Sequence, residues 1–349
     1  MIKAGLIGVT GYTGMEVTRI LAGHPHMQLV YASSRTEAGK RVGTVYPFMN
    51  NLPGASVCIT PPDTKEAAAL CDVVFLAVPH GTAMNLVGEL HAQGVRVVDL
   101  SADFRLRDAA VYEDWYKVPH TRKEILDQAV YGLPELYAKE ISAATLVANP
   151  GCYPSCAVLG LYAALHHTLI RSEHIVIDAK SGATGSGRKA TVSSLFCEVH
   201  DNFRAYGLGT HRHTPEIEQE LSLLAQKSVT VSFNTHLLPV GRGILATIYT
   251  ELCDSATTLQ QVHDIYSHTW AESPWVRVLR KGVLPETRNV RGTMFCDIGL
   301  VVDPRTKRLI IVAAIDNLCR GAAGQAIANA NLMFTLPLTS GLMIAPMMP

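Results

Sequence analysis

The chain has 349 residues, 48% of them hydrophobic and 17% charged, which is enough for about two domains with sizeable cores. Its 30 basic and 30 acidic residues cancel, so the net charge predicts binding to neither a nucleic acid nor a membrane surface. No stretch reaches about 18 uninterrupted apolar residues, which argues against a membrane-spanning helix. Eight scattered cysteines and an N-terminus without the apolar core of a signal peptide favour reduced thiols in a cytoplasmic protein.

The chain opens with an apolar strand predicted at residues 3–9, a glycine-rich turn, and a helical pattern at residues 15–22. Glycines in this context let the backbone approach a pyrophosphate, and the helix N-terminus favours its negative charge. The spacing is GxxGxxG rather than GxGxxG, so a plain glycine-rich turn is the alternative. The candidate cofactor-binding residues of this turn are Gly8, Thr10, Gly11, Tyr12, Thr13 and Gly14.

The next predicted strand, residues 28–32, ends in Ser33, Ser34 and Arg35. A site for NAD would place a carboxylate here to bind the ribose 2′-OH. Two hydroxyls and a guanidinium suit a 2′-phosphate instead, and this favours NADP. The alternative is an ordinary polar loop.

Apolar strands predicted at residues 72–78 and 94–100, with a helix at 83–93 between them, continue the alternation. We therefore predict an α/β fold with a Rossmann-type, doubly wound parallel sheet. Ligands of such sheets bind at the carboxyl ends of the strands. Pro79 and His80 follow the third strand, and we include them among the cofactor-binding candidates.

A fifth apolar strand, predicted at residues 145–148, runs into an Asn-Pro-Gly turn and then a helical pattern at residues 157–165. Cys152 therefore falls at or just before the first turn of a helix. Backbone N–H groups there favour an anion and lower the pKa of a thiol from its usual value of about 8.5. We interpret Cys152 as a candidate nucleophile, with a small buried cysteine as the alternative. Cys156, one turn later, is expected to be packed structure or, alternatively, a resolving thiol.

The second half of the chain has a different pattern, with β-branched, partly alternating strands predicted at residues 174–179, 230–233, 244–250, 293–302 and 309–315. They predict an α+β domain with a mixed, largely antiparallel sheet. A loop dense in small residues is predicted from Lys180 to Arg188 and includes Ser181 and Gly182. Loops of this kind present N–H groups and cations to phosphates.

His211 and His213 flank Arg212 before a predicted amphipathic helix. A thiol nucleophile needs a partner that exchanges protons near neutral pH, and histidine is the usual one. His211 is our first choice for this acid/base role and His213 the second. A metal alternative joins this pair to Cys197 and His200, but the spacing matches no regular zinc module, and we predict no metal.

Six motifs together resemble the N-acetyl-gamma-glutamyl-phosphate reductase family over nearly the whole chain. They occupy residues 8–14, 99–105, 149–154, 181–187, 211–217 and 316–324. The Pro-Gly-Cys motif is the family's active-site signature. The family usually has Thr where this chain has Ser155, a change that keeps the hydroxyl. The layout is similar, more distantly, to aspartate-semialdehyde and glyceraldehyde-phosphate dehydrogenases.

The resemblance implies an NADP-binding domain at residues 1–148 plus 317–349 and a catalytic and oligomerisation domain at 149–316. It also implies a homodimer or homotetramer that uses NADPH to reduce a small-molecule substrate in arginine biosynthesis. That substrate would be N-acetyl-glutamyl 5-phosphate, reduced through a thioester on Cys152 to N-acetylglutamate 5-semialdehyde. Asn317, by the same resemblance, should lie near the nicotinamide.

Several cations are candidates for holding the substrate of such a reaction. We expect Arg105, Lys180 or Arg188 to bind the phosphate, and Arg212 or Arg242 to bind the α-carboxylate. Two other functions stay open. One is a related reductase for an aspartyl or aminoadipyl phosphate. The other is a non-catalytic NADP-binding sensor, which would not need Cys152, His211 and the 180–188 loop together.

Overall fold

The computed structural model describes residues 1–348. The strands are β1 Ile2–Ile7, β2 Met27–Ser33, β3 Ile59–Thr60, β4 Val73–Leu76, β5 Arg96–Asp99, β6 Ala129–Tyr131, β7 Leu146–Ala148, β8 Ile175–Gly182, β9 Arg204–Tyr206, β10 Val231–Leu238, β11 Ile244–Glu251, β12 Val276–Val278, β13 Cys296–Asp303 and β14 Arg308–Ile315. The α-helices are α1 Tyr12–Ala22, α2 Val42–Val45, α3 Thr64–Leu70, α4 Ala83–Ala92, α5 Ala109–Tyr116, α6 Lys123–Leu126, α7 Pro134–Ala143, α8 Cys152–His166, α9 Phe196–Val199, α10 Thr214–Ala225, α11 Leu259–Thr269 and α12 Gly324–Met333.

The chain separates into two compact units. One comprises residues 1–150 and 322–344, and the other comprises residues 151–321 with the C-terminal residues from Ala345. The chain therefore changes unit between Pro150 and Gly151, between Gly321 and Ala322, and between Ile344 and Ala345. Domain bounds at 1–148 with 317–349 and at 149–316 stay a prediction.

The first unit is built on a seven-stranded sheet in the order β3-β2-β1-β4-β5-β7-β6. Every adjacent pair of its strands is parallel. All four residues of β4 are buried, as expected for a parallel strand that is covered on both faces. The predicted doubly wound parallel sheet is therefore confirmed.

Helix α12 belongs to this first unit although it lies near the end of the chain. It packs against α1, α7 and β5. Its buried amides face the strand ends: Gln325 Nε2 donates to Gly132 O at 2.7 Å, and Asn329 Nδ2 donates to the same oxygen at 2.9 Å. Asn329 Nδ2 also lies 3.0 Å from Asn149 Oδ1. The C-terminal helix thus anchors the backbone just after β6 and the turn just after β7.

The second unit contains a mixed seven-stranded sheet in the order β12-β13-β14-β11-β8-β10-β9. β8 and β12 pair in parallel with β10 and β13, and the other four pairs are antiparallel. The predicted mixed, largely antiparallel sheet is confirmed. Helix α8 is apolar on nearly all sides and packs against β11, β13 and β14 and against α10 and α11.

Two comparisons with the sequence-based boundaries bear on the candidate site. β8 runs on to Gly182, because it pairs along its length with β10 on one side and β11 on the other. Lys180, Ser181 and Gly182 are therefore strand residues, and a short 3₁₀ turn follows at Ala183–Ser186. Helix α8 begins at Cys152, as the predicted turn placed it, and so extends five residues before the apolar pattern at 157–165, because Pro154 is compatible with the first turn of a helix.

No helix in the described part of the chain, residues 1–348, is both long enough and apolar enough to cross a membrane. The helices instead cover the two sheets. Cys156 on α8 is fully buried, and its Sγ lies 3.6 Å from Ala313 O on β14. Its predicted place in the packed structure is confirmed.

We expect Asn329→Ala to lower the free energy of unfolding by about 1–3 kcal/mol, because the change leaves a buried amide acceptor on Asn149 without its donor. Urea unfolding would measure the loss. Gln93→Ala is the matched control, since Gln93 donates a similar amide bond to Glu89 O from an exposed position. Equal losses in the two variants would contradict the anchoring role of Asn329.

Candidate active site

Cys152 is the first residue of α8, four positions after the end of β7. The residue before it, Gly151, has an extended conformation (φ −68°, ψ 154°), and no side chain caps the helix. N–H groups in the first turn of a helix have no partner within the helix. The predicted setting of Cys152, at a helix N-terminus that can stabilise an anion, is therefore present.

A buried carboxylate fixes the turn that carries Cys152. Glu216 on α10 is 1% exposed, and its Oε1 accepts the N–H of Gly151 at 2.8 Å. The bond ties the start of α8 to the start of α10. The sequence motif at 211–217 includes Glu216, but only the structure shows that it holds the turn before the nucleophile.

Arg105 holds the preceding residues of the same turn within the first unit. Its Nε donates to Asn149 O at 2.7 Å, and its Nη2 donates to Leu100 O at 2.8 Å. The side chain is buried, so it links the residues that follow β5 and β7. Phosphate binding by Arg105 stays a prediction.

Asp316, just after β14, is a hub of hydrogen bonds in the second unit. Its two carboxylate oxygens accept Nε and Nη2 of Arg242 at 2.9 and 2.8 Å. They also accept the N–H groups of Gly292, Leu318 and Cys319 at 2.7, 2.9 and 2.7 Å. The carboxylate therefore fixes the start of a π-helical turn at Cys319–Ala323.

This ion pair corrects one expectation about the substrate cations. Arg242 binds Asp316 through two parallel N–H···O bonds, and the carboxylate is completely buried. Its charge is thus balanced inside the protein, and we no longer assign Arg242 to the α-carboxylate. The neighbouring Asn317 accepts the N–H of Gly243 and donates to Thr184 Oγ1. Its position near a nicotinamide stays a prediction.

Aromatic rings surround His211. The centroids of Tyr153, Tyr206 and Phe233 lie 5.5, 5.8 and 5.2 Å from its ring, and that of His213 lies at 4.9 Å. The structure therefore brings both predicted histidines together with Tyr153, which is the residue after Cys152. Sequence reasoning missed the other aromatic residues, because β9 and β10 bring them in from distant parts of the chain.

His211 is electrically neutral at pH 7. Burial, with a smaller contribution from the positive charge of Arg212, lowers the pKa of His211 from 6.5 to about 4. Its Nδ1 accepts the backbone N–H of His213 at 3.1 Å, so the single proton of the neutral ring is on Nε2. His211 is thus a poor base but a hydrogen-bond donor. Arg212 itself is exposed.

Two tyrosine hydroxyls complete this arrangement. The hydroxyls of Tyr153 and Tyr206 lie 2.9 Å apart. Burial raises the pKa of both phenols, and each hydroxyl interacts with the other. Both rings are therefore neutral, and they pack beside His211 without adding a charge.

The glycine-rich turn of the first unit has the backbone that a pyrophosphate requires. Gly8 has φ +97°, and a Cβ there would lie 2.2 Å from Ala77 O. A Cβ on Gly14 would lie 2.2 Å from Gly8 O. Gly11 is the N-cap of α1 and no side chain caps that helix, so its first turn can hold an anion. Tyr12 and Thr13 are the first two residues of α1.

Hydroxyl groups cluster beside this turn. Thr10 Oγ1 lies 3.2 Å from Ser34 Oγ, and Ser33 O accepts the N–H groups of both Gly8 and Val9 at 3.1 Å. Ser33 Oγ is buried with no hydrogen-bond partner in the protein. Thr60 Oγ1, on the adjacent strand β3, is also buried with no hydrogen-bond partner in the protein. The sequence analysis did not identify Thr60 as a candidate. Arg35 is exposed next to them. The turn and this cluster fit a phosphorylated dinucleotide.

His80 and Pro79 occupy the loop between β4 and α4. His80 Nδ1 accepts the N–H of Ala102 at 3.0 Å. The buried carboxylate of Asp103 accepts N–H groups of Gly81, Ala83 and Met84 at 2.7, 3.0 and 3.2 Å, and so caps α4. The loop after β5 thus fixes the loop after β4, and both lie at the carboxyl edge of the sheet.

Two predicted phosphate ligands, Lys180 and Arg188, belong to the second unit. Lys180 Nζ lies 2.6 Å from Asp178 Oδ2, and this pairing argues against phosphate binding by Lys180. Arg188 is exposed beyond the 3₁₀ turn. Within residues 1–348, no three His, Cys, Asp or Glu side chains are grouped so that they could hold a metal ion. The four residues of the metal alternative are therefore not gathered into one site.

Comparison with known proteins agrees with this site. Residues 3–144 match the model of the semialdehyde dehydrogenase NAD binding domain, and residues 152–317 match that of the semialdehyde dehydrogenase dimerisation domain. Two curated relatives, from Desulforudis audaxviator and Desulfotalea psychrophila, are 48% and 49% identical over the full length of both chains. Each is named N-acetyl-gamma-glutamyl-phosphate reductase. This chain belongs to that reductase family, within the semialdehyde dehydrogenases.

Solved structures of aspartate semialdehyde dehydrogenases share the fold of this family member. Enzyme II from Vibrio cholerae has a TM-score of 0.72 at 15% identity, over 96% of this chain and 98% of the other. The Candida albicans enzyme with NADP has a TM-score of 0.71 at 17% identity, over 96% and 98%. The predicted family resemblance and the nucleotide-binding domain are confirmed.

The pKa of His211 predicts a pH dependence of stability. Between pH 6.5 and about 4 the unfolded chain binds a proton that folded His211 does not, so the free energy of unfolding should fall as the pH falls. We expect His211→Asn to lose less stability than the wild type between pH 7 and pH 5. Urea unfolding of both proteins at these two pH values measures the difference, and equal losses would show that His211 is not held neutral.

Proposed function

We propose that this chain uses NADPH to reduce N-acetyl-glutamyl 5-phosphate to N-acetylglutamate 5-semialdehyde and phosphate, a step of arginine biosynthesis. The observation that carries the proposal is the position of Cys152, at the uncapped N-terminus of α8 and next to the Tyr153 ring that contacts both histidines. Full-length relatives named for this reaction support the choice of substrate.

The first step is attack by the Cys152 thiolate on the acyl carbon of the substrate. A carbon–sulfur bond forms, the bond from that carbon to the phosphate oxygen breaks, and phosphate leaves with a proton. The product is a thioester on Cys152. Backbone N–H groups at the start of α8 stabilise first the thiolate and then the negative charge that develops on the acyl oxygen.

The glycine-rich turn at residues 8–14 and the residues Ser33, Ser34 and Arg35 would hold NADPH, which when bound would supply a hydride to the thioester carbon. The protein then holds a tetrahedral oxyanion attached to Cys152, and collapse of this oxyanion breaks the carbon–sulfur bond. The aldehyde is released and the Cys152 thiolate returns to its starting state. Division of the reduction into two steps gives each one a good leaving group.

For His211 we propose hydrogen-bond donation from Nε2 to the reacting oxygen. The neutral ring cannot give up that proton fully, but it can stabilise an oxyanion in a site walled by aromatic rings. His213 is then our candidate to deliver the proton that leaves with phosphate. Arg212, which is exposed beside the pair, is our candidate for the α-carboxylate, with Arg105 and Arg188 as phosphate candidates.

We also propose a cytoplasmic homodimer or homotetramer. The match of residues 152–317 to a dimerisation domain supports self-association. Eight free cysteines, three of them exposed, suit a reducing compartment. The preference for NADP over NAD rests on Ser33, Ser34 and Arg35, which offer hydroxyls and a guanidinium where NAD-binding sites have a carboxylate.

The reaction is tested in the oxidative direction. N-acetylglutamate semialdehyde, NADP and inorganic phosphate should give NADPH, followed by its absorbance, and turnover should stop when phosphate is left out. Turnover with aspartate semialdehyde but not with the N-acetylglutamate compound would keep the chemistry and overturn the substrate. Tight NADP binding without turnover of either would favour the sensor function.

Replacement of the nucleophile tests the mechanism. We expect Cys152→Ser to reduce turnover by about 1,000-fold or more, because a serine hydroxyl is not ionised near neutral pH and forms no thioester. NADPH binding, measured by the fluorescence of the reduced nicotinamide, should stay at the wild-type level. Cys253→Ser is the control, since Cys253 is an exposed thiol of the same unit. Retained activity in Cys152→Ser would refute the role of Cys152.

A glycine pair tests the nucleotide site. Gly11 has an ordinary negative φ, and a Cβ there would come no closer than 3.9 Å to another residue. Gly11→Ala should therefore leave the unfolding temperature unchanged but weaken NADPH binding at least about tenfold, because the methyl group would meet the pyrophosphate. Gly23→Ala, at the other end of α1 with nothing within 4 Å, should change neither. Unchanged NADPH affinity in Gly11→Ala would place the nucleotide elsewhere.

A further inference from the structure

Gly321 lies directly against the proposed nucleophile. A Cβ built on Gly321 would lie 2.6 Å from Cys152 Cβ and 3.0 Å from Cys152 Cα. Carbon atoms in contact are normally about 3.5–4.0 Å apart. Only a residue without a side chain therefore allows the backbone at position 321 to touch Cys152 in this way.

The segment that carries Gly321 is held firmly. The N–H of Gly321 donates to Asp316 O at 2.9 Å, while the carboxylate of Asp316 accepts the N–H groups of Leu318 and Cys319. Arg320, the residue before Gly321, has no exposed surface. The turn is π-helical, a local geometry that occurs frequently at functional sites.

On the other side of the contact, Cys152 is also fixed. The N–H of Gly151 donates to the buried Glu216, and Ser155 N and Oγ both donate to Gly151 O at 3.0 Å. Neither backbone can move away without breaking buried hydrogen bonds. A methyl group added at position 321 must therefore displace the first residue of α8 or its side chain.

We propose that Gly321 is a positioning residue for the Cys152 thiol. Its backbone packs directly against Cys152 Cα and Cβ. This contact fixes the orientation of the Cys152 side chain, and with it the direction in which Sγ points from the helix N-terminus. The proposal rests on the proposed function, in which Cys152 attacks the substrate. Gly321 itself contacts only the nucleophile and takes no part in bond making.

Gly321→Ala is the direct test. The added Cβ at position 321 and Cys152 Cβ would be about 1 Å closer than two carbon atoms in contact. A shift of the thiol by that distance can reduce the reaction rate about 100-fold. We expect kcat to fall by about that factor, with NADPH affinity unchanged. Gly160→Ala is the matched control, because Gly160 lies on the same helix and a Cβ there would meet the side chains of Ile248, Ala313 and Ile311 at 3.3, 3.4 and 3.7 Å. It should keep its kcat.

The reactivity of the Cys152 thiol distinguishes a positioning role of Gly321 from a general loss of packing, which would not change that reactivity. Alkylation of Cys152 by iodoacetamide, followed by mass spectrometry of its peptide, should slow in Gly321→Ala. The pH at which the alkylation rate of Cys152 reaches half its maximum should rise, because the thiolate moves away from the helix N-terminus. The rate and midpoint in Gly160→Ala should match those of the wild type. Unchanged alkylation of Cys152 in Gly321→Ala would overturn the proposal.

A double-mutant cycle keeps the test decisive if Gly321→Ala is poorly stable. Cys152→Gly removes the Cβ that the added methyl group would meet, so Gly321→Ala should cost less unfolding free energy in that background than in the wild type. Equal costs would show that the two residues do not interact and would overturn the proposal. Both the cycle and the alkylation are independent of substrate, so a wrong substrate assignment would leave these results intact.

Discussion

The candidate site of the second unit depends on the hydrogen bonds that the carboxylate of Asp316 accepts. It is completely buried, and a buried charge is tolerated only when it is paired and hydrogen-bonded. Arg242 supplies the countercharge, and three backbone N–H groups complete its coordination. Loss of one partner from such a pair typically costs about 3–5 kcal/mol. The geometry of the chain on both sides of Asp316, from β14 to the π-helical turn, is therefore strongly determined.

The environment of His211 favours an uncharged imidazole in the candidate site. Cysteine enzymes often pair the thiolate with a protonated histidine. Here the aromatic rings of Tyr153, Tyr206 and Phe233 pack around the imidazole, and burial lowers its pKa so that the neutral form is favoured. In the proposed mechanism, stabilisation of the Cys152 thiolate therefore falls on the helix N-terminus, whose partial charge needs no proton and does not titrate.

Local sequence patterns were sufficient to predict most of the fold and the position of Cys152. Glycine and proline mark the turns after β1 and β7 because only certain backbone conformations fit there, so Gly8 and Cys152 could be placed from sequence. Long-range pairings could not. Lys180 looked like a loop cation but lies on β8, because that strand pairs with β10 and β11 as far as Gly182. Arg242 looked available but is bound to a carboxylate 74 residues away, and nothing in the local pattern around Arg242 indicates that partner.

The return of α12 to the first unit has a consequence for synthesis on the ribosome. Residues 151–321 leave the ribosome as one continuous segment, so every strand of the mixed sheet is available before the chain is finished. The parallel sheet is different, because Asn329 and Gln325 reach Gly132 only after nearly 200 intervening residues have been added. The sheet of the N-terminal unit, although made first, is covered by α12 only after every strand of the other sheet has been made, and its helix-binding surface stays uncovered until then.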